Sequence, residues 1–126
     1  MPADRNREPA GEQAVPMPAH RATVELAAAA ASTLRSRLAL SKRPLALVGR
    51  GALLDGVPAA FNRFIDAWRM PFFTTYKAKG IADDRHALCA GSIGLSPVVD
   101  AESLRLIADA DCLVLVCFDP IELRDA

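Results

Sequence analysis

The sequence predicts an α/β domain built on a parallel sheet, because short apolar runs alternate with stretches of helical period over most of its length. Three such runs stand out: Pro44 to Gly49, Pro71 to Thr75 and Cys112 to Phe118. The residues between them are numerous enough for crossover helices and too many for hairpins, so the strands lie parallel with right-handed connections.

The elements follow in order. Residues 1–20 hold Pro2, Pro9, Pro16 and Pro18 among charges and few large apolar side chains, which cannot offset the entropy of ordering, and they read as a linker or arm. Residues 21–126 form the folded part. From Thr23, the residues Val24, Ala27, Ala28, Ala31, Leu34 and Leu38 recur at helical spacing, with Arg35 and Arg37 toward the negative end, giving a helix to Leu40. Leu45, Ala46, Leu47 and Val48 make an uninterrupted apolar strand of the kind buried on both faces. Pro58 suits the first turn of the next helix, near 57–69, whose apolar stripe is Val57, Phe61, Phe64, Ile65 and Trp68. After Thr75 a loop is expected from Lys77 to Gly94. A helix over 97–110 then offers Val98, Leu104, Ile107 and Ala108 for burial, and CLVLVCF is the strongest strand.

Composition excludes several functions. Apolar residues make up 52% of the 126, and 15 basic side chains balance 15 acidic ones. No apolar run approaches the ~20 residues of a membrane helix, and no basic field exists to draw the chain onto nucleic acid or anionic lipid. The expected protein is soluble and cytoplasmic, with no secretory leader at Met1. Cys89, Cys112 and Cys117 form no CxxC pair, and the odd spacing of the last two sets them on opposite faces of a strand, which fits a reducing compartment.

Gly49-Arg50-Gly51 sits at the C-terminal end of the first strand, where open sheets bind ligands. It reads either as a tight turn or as a phosphate-approaching loop, since Leu54 stands where a dinucleotide fingerprint needs a third glycine. Lys77 and Lys79 are solvated loop lysines or phosphate contacts. His86 beside Asp83 and Asp84 lacks the companions of a metal site and reads as a polar turn. Cys89 reads as a small buried residue. Asp109 and Asp111 are assigned to helix termination. No nucleophile, base and orienting group stand together, so no catalytic residue and no metal ligand is expected.

One cluster is more specific. A strand ending in Thr74-Thr75, then Lys79-Gly80, an acidic turn with His86, and the glycine pair Gly91 and Gly94 resembles the central domain of thiamine-diphosphate-dependent enzymes of the acetolactate synthase and decarboxylase type. The resemblance covers residues 15 to 126. It implies a Rossmann-like, three-layer fold, here incomplete at three strands, and a domain of three that carries no catalytic residue. It further implies that FAD or ADP, if either binds, lies along Gly49, Gly51, Gly91, Gly94, Phe118 and Asp119. Thiamine diphosphate and magnesium belong to the other two domains: the activating glutamate to the first, and a Gly-Asp-Gly motif ending in asparagines, absent here, to the third. The expected partners are further copies of the chain or the remaining domains of a split enzyme. The competing reading is a free-standing nucleotide-binding module using the same four glycines.

Overall fold

The computed structural model describes residues 28–123; the proline-bearing arm and the expected first helical turn from Thr23 lie outside the described residues. Three helices, α1 (Ala28–Leu40), α2 (Val57–Trp68) and α3 (Pro97–Asp109), flank four strands, β1 (Pro44–Val48), β2 (Phe72–Thr75), β3 (Cys89–Ile93) and β4 (Cys112–Val116). All pairings are parallel and the order across the sheet is β3-β2-β1-β4.

The sheet has one strand more than the sequence reading allows. β3 reads CAGSI, a run poor in the bulky side chains that mark strands, and it falls inside the expected loop from Lys77 to Gly94. What makes it a strand is the free edge of β2: Phe72 pairs with Cys89, then Phe73 with Gly91, the extra residue forming a bulge. Gly91 sits there at φ 123, a conformation open to glycine.

Alternation along the strands divides the core in two. Ala46, Val48 and Phe72 face α1 and α2, packing with Leu38, Phe61, Ile65 and Met70; Leu45, Leu47, Phe73 and Ile93 face the other way, toward Ile107 on α3. Phe61 meets Phe72 edge to face at 5.2 Å, the geometry that aromatic quadrupoles favour. The connection from β2 to β3 has no α-helix; it crosses the first face with Ile81 and Leu88 packed against the core.

Burial on the α3 side is thinner than the sequence suggests. Val98 is 86% exposed, Ala108 is exposed, and Leu104 and Ile107 are half-buried. β4 is an edge strand, and its Leu113 and Leu115 are exposed despite the apolar run that contains them. Cys112 is half-buried against the first core, while Cys117 lies past the strand, exposed and at φ 47, so the two do not share the strand as expected. No helix among the described residues is long and apolar enough to cross a membrane.

Asp111 does more than end α3. Its carboxylate accepts hydrogen bonds from the Ser41 hydroxyl and from the N–H groups of Lys42, at 2.8 Å, and Arg43, at 3.0 Å, tying the α1–β1 connection to the start of β4. The Ser41 hydroxyl first, then these N–H groups, lower its pKa from 3.8 to about 2. A depressed carboxylate pKa stabilises the fold fully above the unfolded value and is lost as pH falls through the folded one. The wild type should therefore lose urea resistance between about pH 5 and about pH 2 more steeply than Asp111→Asn. Equal slopes would show that the clamp contributes nothing.

Candidate functional site

From β1 the chain steps outward to β2 and β3, then returns over the other face to place β4 against the opposite side of β1. The turns leaving β1 and β4 therefore diverge, which is the crossing point where open α/β sheets hold ligands. A cleft of about 400 Å³ opens there, lined by Arg50, Gly51, Lys77, Phe118, Asp119 and Glu122. A second hollow of about 500 Å³, bounded by Arg43, Leu45, Arg69 and Leu106, lies at the opposite strand ends, away from any such crossing.

Glu122 organises the cleft. It stands in a 3-10 turn over Pro120–Leu123 and is 8% exposed. The Arg50 N–H reaches both carboxylate oxygens, at 3.1 and 3.0 Å, the Asp119 N–H reaches Oε1 at 3.2 Å, and the Thr75 hydroxyl donates to Oε2 at 2.6 Å. The donors come from the ends of three different strands, β1, β2 and β4. A carboxylate so held is an anion of the chain itself, placed where a glycine turn would present its N–H groups to a phosphate.

The six residues singled out from sequence are not gathered in one place. Gly51, Phe118 and Asp119 line the cleft, Phe118 with its ring also against the second core. Gly49 lies behind it: a Cβ there would come within 2.5 Å of the Cys117 carbonyl oxygen and of Phe118 Cα. Its N–H is taken by the Val116 carbonyl at 2.9 Å. Gly94, at φ 91, would press a Cβ to 2.7 Å from the Glu122 carbonyl oxygen, and its N–H donates to buried Asp100 at 2.8 Å. Gly91 is apart, on β3 beside a small hollow shared with Lys79, Asp84 and Ser92. Gly49 and Gly94 thus permit close approach of the 117–123 segment, and their N–H groups are spent within the fold.

Sequence reasoning missed Glu122. The one available signal, an acidic residue just past the last apolar strand, does not say which donors it meets. Arg50 and Lys77, both exposed, make no ion pair among the described residues. Lys79 instead pairs with Asp84 at 3.8 Å. His86 accepts from the Leu88 N–H through Nδ1 and meets Asp66 through Nε2 at 3.1 Å, which pins the long connection to α2. Among the described residues, no three His, Cys, Asp or Glu side chains gather as a metal site would require.

The family model of the thiamine pyrophosphate enzyme central domain matches residues 19–124. The chain belongs to that family. Among curated relatives, 2-hydroxyacyl-CoA lyase 1 of Mus musculus is 30% identical over 104 residues, which is 82% of this chain and 16% of the relative. Oxalyl-CoA decarboxylase of Escherichia coli (strain K12) is 32% identical over 72 residues, 57% of this chain and 13% of the relative. A putative acetolactate synthase large subunit of Mycobacterium tuberculosis is 30% identical over 80 residues, 64% and 14% respectively. The chain therefore spans about one-sixth or less of the length of these relatives. As a central domain it has the parallel α/β architecture expected from the sequence, with four strands in place of three.

The glycine geometry separates crowding from backbone strain. Gly56, at φ 80 with nothing within 4 Å, should tolerate alanine at a cost of about 1–2 kcal/mol, the ordinary penalty of a left-handed residue. Gly49→Ala should cost clearly more, since the obstructing atoms are backbone. Urea denaturation of both variants checks this, and a Gly49→Ala protein as stable as Gly56→Ala would contradict the packing described.

Proposed function

We propose that this chain serves as a non-catalytic, structural central domain of a thiamine-diphosphate-dependent enzyme. The observation that carries this reading is that Gly49 and Gly94, the best candidates for a ligand cradle, are used to pack the 117–123 segment against the strand ends. The relatives' names describe a lyase, a decarboxylase and a synthase, so the enzyme containing such a domain makes or breaks bonds at an acyl or 2-oxo carbon. Thiamine diphosphate and magnesium do not fit the described residues. No metal-binding group gathers there, and the buried Glu122 carboxylate at the strand ends is already held by three donors. No catalytic step is assigned to this chain.

A second reading concerns the cleft itself. Among the described residues, Arg50 and Lys77 stand without ion-pair partners beside Gly51 at the crossing point, which suits the diphosphate of an adenine nucleotide such as ADP or FAD. With the Arg50 N–H engaged by Glu122, these side chains, and not the glycine turn, would hold the phosphates. One calorimetric experiment tests both readings. Titration with thiamine diphosphate and magnesium should give no saturable heat, and micromolar binding would sink the structural reading. ADP should bind weakly, and Arg50→Ala with Lys77→Ala should weaken it about tenfold or more. An ADP affinity unchanged in the double variant would place the nucleotide elsewhere.

The partners proposed are further copies of this chain or the other domains of the enzyme. The uncovered face of β4 supports this, since an open parallel edge with exposed Leu113 and Leu115 is an association surface. The 126-residue chain should self-associate at tens of micromolar in sedimentation, and Leu115→Lys should shift it toward monomer. A cooperative wild-type monomer at that concentration would remove the support.

A further inference from the structure

We propose that Glu122 is the specificity-determining residue of the strand-end cleft: its carboxylate occupies the only seat where backbone and hydroxyl donors from β1, β2 and β4 converge among the described residues, and it bars phosphate from that seat. Glu122 sets which anion the turn accepts whether or not a nucleotide binds.

Geometry supports the assignment. The two carboxylate oxygens receive the Arg50 N–H, the Asp119 N–H and the Thr75 hydroxyl at 2.6–3.2 Å, an arrangement suited to any small oxyanion. Crowding points the same way. A Cβ on Gly49 would lie 2.7 Å from Glu122 Oε1, so the bare backbone at 49 leaves room for an anion, as glycines do in phosphate-binding turns, but the anion is supplied in cis. A second anion next to this buried carboxylate would meet like charge, and the three donors of the seat are already engaged. Phosphate is thereby restricted to the rim, where Arg50 and Lys77 project. Removing the carboxylate should vacate a seat of two N–H groups and one hydroxyl, open to formate or to inorganic phosphate.

Glu122→Ala creates that vacancy, and Glu122→Gln fills it with a neutral amide. Thermal unfolding of the full chain would be followed in sodium chloride, sodium formate and sodium phosphate at matched ionic strength. The alanine variant should unfold several degrees below wild type in chloride and recover part of that loss, saturably, in formate or phosphate. Wild type and the glutamine variant should show less than about a third of that anion response. If the alanine variant does not fold in chloride, soluble yield on refolding into formate or phosphate becomes the readout, with recovery expected. An alanine variant that responds to neither anion, or a wild type that responds to phosphate as strongly, would overturn the proposal. These outcomes do not depend on ADP, so the nucleotide reading and this one fail separately.

Discussion

A carboxylate taken out of water must be surrounded by donors, and among the described residues Glu122 is the buried carboxylate that draws them from three strands. Its donors belong to the ends of β1, β2 and β4, three strands separated by long stretches of sequence. Meeting them fixes where the turn after β4 lies and obliges Gly49 and Gly94 to be small, because the 117–123 segment passes within contact distance of both backbones. The cleft owes its shape to the same contact, as Phe118, Asp119 and Glu122 form one wall and Arg50 and Gly51 the other.

At the opposite ends of the strands Asp111 plays the corresponding part. It gathers the Ser41 hydroxyl and two successive N–H groups, so that β1 and β4 are tied at their starts by one carboxylate and beyond their ends by another. Between these ties the register runs unbroken from Pro44 opposite Cys112 to Val48 opposite Val116. The pair marks the switch in strand order, since β2 and β3 are added on one side of β1 and β4 on the other. The edge strand β4 is thus anchored at both ends, although its Leu113 and Leu115 remain exposed.

Much of the fold was legible because burial follows period. The four-residue apolar run of β1 and the stripe of Phe61, Ile65 and Trp68 on α2 state their own geometry, and both elements lie where the pattern sets them. β3 was hidden for a physical reason: CAGSI has little strand propensity, and it pairs because β2 offers an unsatisfied edge. Val98 misled in the opposite sense. Its apolar character suggested burial, but nothing among the described residues packs over the start of α3, and the residue buried there is Asp100.

Local pattern alone therefore determined the α/β class, the parallel pairing of the three apolar strands and the family marked by Thr74, Thr75, Lys79, Gly80, His86, Gly91 and Gly94. These follow from side-chain period and motif spacing, which a linear chain displays directly. Only the tertiary structure decided what the glycines are for and which carboxylates matter. Gly49 serves a contact with residues 117–122, and Glu122 serves donors at 50, 75 and 119. A residue's role as cradle, spacer or internal anion depends on which backbone groups remain unpaired beside it, and that is set by long-range pairing, on which neighbouring residues in the sequence carry no information.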